Sequence, residues 1–414
     1  MKTIKIIKII SNLLIGNFFL IYLIAQLFVL SRGWDPPLPQ MIFVFNAFYG
    51  ICLLSRIKHF ITLDYIVLIY IFYIIFNGLL SDYPNKEILF QKALTIQVSC
   101  VFLYFVGRSK SFDIVVLNNN RWPLIITSIL GIYFFFRMPG WYLDMKNSMI
   151  KGDTTYMSLG ETMRLSAFWA HPYYFVYGLM SVVPFVLLDM FKKNKHNGFV
   201  YAELLIISIA LILAQLRVAI ACFILFVLCN FYSNSKNKAT FIIYTIFVFM
   251  LVTLIVGFII FSYLDADSIR YIFEHSSGLE IDSRYKATSG GHSMDSFWGG
   301  GFGRYSLKVG NSFAIIDNEY QKLLAEIGIL GFSIVIIIFL LSLVRITKIK
   351  EHYVEKMIVL FYIIACLGAS CLSNISQYPF IFWLALGSLW SDKTDNRWSK
   401  YKVYNLKKIK INES

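Results

Sequence analysis

Apolar runs recur along this chain at the length a helix needs to cross a bilayer, and they leave little room for another architecture. A spanning helix takes about 20 predominantly apolar residues. Such stretches fall near 11–31, 39–55, 60–80, 88–107, 122–136, 172–190, 199–215, 217–232, 240–264, 322–344, 354–373 and 376–391. The expected fold is an all-α polytopic membrane protein, one integral membrane domain over residues 1–414 with about 12 transmembrane helices. The seventh and eighth runs form one apolar stretch broken by Gln215-Leu216-Arg217, which is either a tight turn or a kink in one helix. Only 15% of residues are charged and the mean hydropathy is +0.65, against about 25% charged in soluble domains. Lys2, Lys5 and Lys8 precede the first run, which extends to Leu30. That run is too long for a signal-peptide core and no small-x-small cleavage site follows it, so it reads as the first helix.

Charge placement orients the helices. With the N-terminus cytoplasmic, 24 of the 38 lysines and arginines lie on that side and 14 on or near the other. The acids run the opposite way, 9 of 24 inside. The net charge of +14 is then the positive-inside signal and implies no nucleic-acid partner. The basic tail 392–414 reads as a cytoplasmic anchor facing anionic lipid, which places both termini inside. Two substantial loops fall on the external, periplasmic side, 137–170 and 265–321. All six cysteines sit in apolar segments, so neither a disulfide framework nor a zinc site is implied.

A plain anchor has no use for the second loop's contents. It carries Arg270, Arg284, Lys286, Arg304, the run Gly299-Gly300-Gly301-Phe302-Gly303, and Asp317-Asn318-Glu319-Tyr320. Arg217 sits at the junction of two apolar runs, where a guanidinium is costly unless it snorkels, pairs or binds. Arg164 leads into the sixth span and Arg284 follows Asp282-Ser283. Arginine offers a rigid fork of donors suited to phosphate oxygens, so Arg164, Arg217 and Arg284 are candidate pyrophosphate ligands. The glycines, Gly299, Gly301 and Gly303 among them, allow backbone N–H groups to approach such an anion; the plain alternative is a turn. Asp317 or Asn318 caps the next helix. Asp317 and Glu319 are candidate proton acceptors for a sugar hydroxyl, with Asn318 and Tyr320 beside them. Asp265-Ala266-Asp267 has the look of a metal motif but is too short to carry one, so no metal is expected.

These pieces together resemble the superfamily of O-antigen polymerases (Wzy) and O-antigen ligases. The matching segments are Arg164 to Pro172, Gln215-Leu216-Arg217, Ser283-Arg284 with the glycine run, and Asp317 to Phe332. The resemblance implies a bacterial inner-membrane glycosyltransferase that uses no metal or other cofactor. Its donor would be a polyprenyl-pyrophosphate-linked oligosaccharide, its setting membrane lipid, and a flippase and chain-length regulator would be partners. It also implies pyrophosphate contacts for Arg217 and Arg284, with Arg164 as a third. Ligases carry a histidine, typically paired with asparagine, where this chain has Asp317-Asn318. The departure favours a polymerase and leaves the base open among Asp317, Glu319, His275 and His292. The rival readings are the ligase, which passes glycan to lipid A-core, and a flippase of lipid-linked oligosaccharide.

Overall fold

The protein is seen as a computed structural model that describes residues 2–32, 38–57, 59–83, 85–109, 112–137, 139–142, 144, 165, 167–169, 172–190, 197–214, 216–234, 297–305, 318–349, 351–367, 372 and 379–391. Every regular element among them is helical. In chain order these are α1 (Lys2–Gly16), α2 (Phe18–Arg32), α3 (Leu38–Leu54), α4 (Thr62–Leu80), α5 (Lys86–Ala93) and α6 (Ser99–Arg108). A 3₁₀ segment, Ile114–Asn120, then enters α7 (Arg121–Arg137). The rest are α8 (Pro172–Met190), α9 (Asn197–Ala214), α10 (Arg217–Asn234), α11 (Glu319–Lys348), α12 (Tyr353–Ala365) and α13 (Pro379–Leu389).

Among the described residues, four helices are long and apolar enough to cross a membrane: α4, the continuous Lys86–Arg108 formed by α5 and α6, α8 and α11. The α5–α6 span contains one π turn, Leu94–Val98, of the kind that inserts a residue without ending the helix. The run expected as the first span is instead two helices, α1 and α2, bent by 66° at Asn17, and would be a fifth span only as a broken one. Asn120 sits at that bend, donating to Ile15 O and accepting from Phe19 N–H. The expected 354–373 run is helical only as far as Ala365. The apolar stretch around 215 is two helices, α9 ending at Ala214 and α10 starting at Arg217. The run near 240–264, the basic tail and most of both expected external loops lie outside the described residues.

The core centres on α13, in which all 11 residues are buried. It lies against α6 at a reciprocal glycine crossing. A side chain on Gly107 would strike the Leu384 carbonyl, and one on Gly387 would strike that of Tyr104. Small residues at such crossings let two backbones approach and gain packing where lipid gives no hydrophobic drive.

Side-chain interactions gather at two ends of the helices. At one end, Arg121 at the start of α7 bonds Asp189 at the end of α8 (2.6 Å) and both oxygens of Glu203 near the start of α9. Asp64 at the start of α4 meets Arg108 at the end of α6 (3.4 Å) and accepts from Tyr104 Oη (2.6 Å). Glu355 at the start of α12 receives Ser388 Oγ from α13 (2.8 Å) and faces His352 Nδ1 (3.1 Å). The other end holds the C-terminus of α4, the N-terminus of α11 and the C-terminus of α12. There the polar contacts are of a different kind.

Candidate functional site

Helix α11 begins as a capped helix should. Asn318 Oδ1 accepts the N–H groups of Tyr320 (3.0 Å) and Gln321 (3.2 Å), satisfying two orphan donors of the first turn. Its amide also donates to Leu367 O at 3.0 Å, tying the cap to the end of α12. Tyr320 Oη donates to Ile363 O at 3.0 Å.

The helix then breaks at Gly328, whose φ is +66° and ψ −173°. A continuous helix would use the carbonyls of residues 325, 326 and 327 for the N–H groups four residues on. Inside apolar surroundings those groups must find other partners. The glycine loop supplies two of them: Gly300 N–H donates to Ala325 O (2.7 Å) and Gly301 N–H to Glu326 O (2.9 Å). Tyr73 Oη, from α4, takes Ile327 O at 2.7 Å. On the far side of the break Leu330 N–H reaches Phe297 O at 3.4 Å.

The loop 297–305 is fixed in turn by α4 and its C-terminal extension. Asn77 bridges it, donating to Trp298 O (2.6 Å) and accepting from Phe302 N–H (2.7 Å). Tyr83 Oη donates to Phe302 O at 2.9 Å. The Trp298 ring stacks on Tyr73, with centroids 6.3 Å apart. Gly299, Gly301 and Gly303 all have left-handed φ, +79°, +111° and +91°. A side chain on Gly299 would meet the backbone of Glu326 and Gly328, and one on Gly301 would meet Ser81 and the Tyr83 ring. Only glycine allows this threading.

A row of ionisable side chains lines the same turns of α11. Glu319, Lys322 and Glu326 are spaced to share one face and are 0%, 1% and 0% exposed. Glu326 Oε1 accepts Tyr305 N–H at 2.8 Å, and Lys322 Nζ lies 4.0 Å from it. Glu319 Oε2 accepts Leu372 N–H at 2.8 Å, and the Glu319 N–H donates to Cys366 O. Arg304 lies over the Tyr305 ring, 5.5 Å from its centroid, with Nη1 3.4 Å from Gly300 O. Burial pushes the Tyr83 hydroxyl well above its usual range. Glu326 adds to that shift and Arg304 opposes it, which puts all three groups in one neighbourhood.

Of the residues singled out in the sequence, the structure gathers Gly299, Gly301, Gly303, Asn318, Glu319 and Tyr320 around the start and break of α11. Arg217 is exposed at the first turn of α10. Leu165 N–H donates to Leu213 O at 2.9 Å, joining the chain beside Arg164 to the turn that carries Arg217. Arg164, Arg284, Asp317, His275 and His292 lie outside the described residues. Two expectations take a different form in the structure. The Gly300 and Gly301 N–H groups, expected to face an anion, serve helix carbonyls. Glu319, expected to accept a proton, is buried and holds the chain at Leu372. Asn77, Tyr83, Lys322, Glu326 and Arg304 received no role from the sequence. An asparagine beside Gly78 in an apolar run, and Lys322 and Glu326 one turn apart, were the available signals.

Among the described residues, no three His, Cys, Asp or Glu side chains gather as a metal site would require. The described residues thus define an apolar, all-helical fold with four or five membrane-length helices and a glycine loop stitched into a broken one. Compared with known protein families, characterised proteins and solved structures, the chain matches none of them.

Proposed function

We propose that this chain is a polysaccharide repeat-unit polymerase of the Wzy kind in the bacterial inner membrane. It would transfer a polyprenyl-pyrophosphate-linked glycan onto a new lipid-linked repeat unit at the outer face. The observation that carries the reading is the loop 297–305 threaded through the break in α11. A membrane helix that is opened, re-satisfied by a polar loop and lined with buried Glu319, Lys322 and Glu326 is costly to keep, and such cost concentrates at binding and catalytic sites.

In this reading the chain spans the membrane about 12 times with both termini cytoplasmic. The alternation has support in the packing. The Arg121, Asp64 and Glu355 clusters join helix ends that twelve alternating spans put inside. The bonds of Asn77, Tyr83, Asn318 and Leu165 join ends that the same alternation puts outside.

The acceptor hydroxyl attacks the anomeric carbon of the growing chain. The carbon–oxygen bond to the pyrophosphate breaks as the new glycosidic bond forms, and the hydroxyl proton passes to a base. With Glu319 holding Leu372, Asp317 is the carboxylate assigned to that role. Arg217, Arg284 and Arg164 stabilise charge as it develops on the departing pyrophosphate. Pyrophosphate is a good leaving group, so positioning accounts for much of the rest.

The test is the surface glycan of a strain lacking this protein, complemented with wild type, Arg217→Ala or Arg284→Ala. The expected result is single capped repeat units without wild type, and the same in both variants with protein still in the membrane. Full-length polymer stranded on the lipid carrier would indicate the ligase instead. Normal chain length in both arginine variants would remove the pyrophosphate assignment.

A further inference from the structure

We propose that the loop 297–305 is embedded in the membrane, and that its Phe297 and Trp298 side chains face the hydrocarbon chains of bilayer lipid. The sequence alone puts these residues in an external loop. The inference stands apart from the polymerase reading and gives its site a lipid-facing edge.

The course of α11 is the first observation. Tyr320 lies near its start, yet its ring meets Phe332 and Phe339 edge-on, with centroids 6.3 and 6.2 Å away. In a straight helix, residues 320 and 339 would stand about 28 Å apart along the axis. The helix therefore reverses at Gly328, and the limb 319–328 runs back beside the limb that follows the break. None of the residues 319–328 is exposed. The loop 297–305 is bonded to the reversal itself, through Ala325 O, Glu326 O and Leu330 N–H.

Helix α4 sets the level of that reversal. Tyr73 gives its hydroxyl to Ile327 O and its ring to Trp298. Seven more residues follow before α4 ends at Leu80, about 10 Å of helix axis. The loop thus meets α4 well short of its end, on a helix of membrane length.

Exposure then shows which way the loop faces. Phe297 and Trp298 are 52% and 61% exposed. On α4 the exposed apolar side chains fall in one stripe, Ile69, Phe72, Phe76 and Leu79, at the spacing of a single helix face. On α11 they do the same after the break, at Ile329, Ile337, Leu340 and Val344. The aromatic pair joins the two stripes, since Trp298 stacks on Tyr73 of α4 and Phe297 O takes the N–H next to Ile329. One continuous apolar surface on two membrane-length helices fits lipid chains.

The backbone agrees. Non-helical chain is tolerated at membrane depth only where protein buries it and bonds its polar groups. In this loop the carbonyls of Phe297, Trp298, Gly301 and Phe302 accept bonds, and the N–H groups of Gly300, Gly301, Phe302, Arg304 and Tyr305 donate them. Gly301, Phe302, Gly303 and Tyr305 are also buried. In water the solvent would supply such partners. A ligand of the loop that carries a hydrocarbon chain can leave that chain in the bilayer beside Trp298.

The experiment uses full-length protein in lipid nanodiscs and reads tryptophan fluorescence. The chain has eight tryptophans, so the emission of Trp298 is taken as the difference between wild type and Trp298→Phe. Two quenchers are compared: phosphatidylcholine with brominated acyl chains, which acts inside the bilayer, and iodide, which acts from water. The difference emission should lie to the blue of tryptophan in water, lose most of its intensity to the brominated lipid and lose none to iodide. Phe297→Trp adds one tryptophan whose emission should respond in the same way. Thermal unfolding of each variant checks folding, and Phe297→Trp carries the test if Trp298→Phe does not fold. Quenching by iodide with none by brominated lipid overturns the inference, because the loop then lies in water. Absence of quenching by either also overturns it, because other chain then covers both rings. Neither outcome touches the polymerase reading, which the deletion-strain glycan decides.

Discussion

Substituting alanine at Gly299 or Gly328 tests whether the loop is threaded through the helix break. Gly299 has φ +79° and Gly328 has φ +66°. An L-residue in that region costs about 1–2 kcal/mol. The steric term is separate. A Cβ on Gly299 would come within 2.5 Å of Glu326 O and still nearer Gly328 N, and a Cβ on Gly328 would meet Phe297 O and Gly299 N. These are backbone atoms that cannot rotate away, so overpacking adds about 1–3 kcal/mol. Each substitution should therefore cost about 2–5 kcal/mol. Gly198, beside which nothing lies within 4 Å of an added Cβ, is the control. Gly198→Ala in α9 should be neutral or stabilising by up to about 1 kcal/mol. The measurement is SDS-induced unfolding in bicelles followed by tryptophan fluorescence. The two costs should also couple, because either alanine pushes apart the same pair of backbones. The double variant should then resemble the worse single one and fall well short of the sum. Were Gly299→Ala to match Gly198→Ala within about 0.5 kcal/mol, or the two substitutions simply to add, the threading would be refuted.

Two further outcomes can be read by the same unfolding assay. Arg121→Leu leaves Asp189 and Glu203 buried without their shared cation and should cost about 3–5 kcal/mol, while replacing all three by leucine should restore most of that loss. Asn318→Ala removes the cap of α11 and should cost about 1 kcal/mol, only part of it recovered by Asn318→Asp, which caps the helix but cannot donate to Leu367 O.

The positions of the helices were legible because length and apolarity go together in runs of this kind. The runs at 60–80, 88–107, 122–136 and 172–190 lie within a few residues of α4, α5–α6, α7 and α8. The interruption at Gln215-Leu216-Arg217 marked a true helix boundary for the same reason. Breaks inside a run were not legible. Asn17 and Gly328 sit inside runs that read as single spans, where hydropathy is blind to backbone angle. The cap at Asn318 could be read because its partners are two and three residues away. Asn77 could not, since it meets Trp298 and Phe302 across more than 200 residues, and no local pattern encodes such a pairing. The glycine run was seen as a loop able to present N–H groups. What it presents them to, the carbonyls of Ala325 and Glu326, follows only once α11 is known to be broken.

The two ends of the molecule use charge for different purposes. At the Arg121 end, side chain meets side chain: Arg121 with Asp189 and Glu203, Asp64 with Arg108 and Tyr104, Glu355 with His352 and Ser388. Each of those groups joins one helix to another and so fixes helix positions. At the glycine-loop end the carboxylates take N–H groups of irregular chain distant in sequence, Glu319 from Leu372 and Glu326 from Tyr305, whereas Asp64 takes its main-chain donor, Ile61, from the start of its own helix. A carboxylate bonded to backbone N–H groups fixes the course of irregular chain, which an ion pair between helices does not do. Irregular chain held on rigid helices is where binding and catalytic groups are usually carried. A plain anchor has little use for two buried carboxylates that each hold a distant stretch of non-helical chain. The break in α11 is accordingly where the proposed function has its working end.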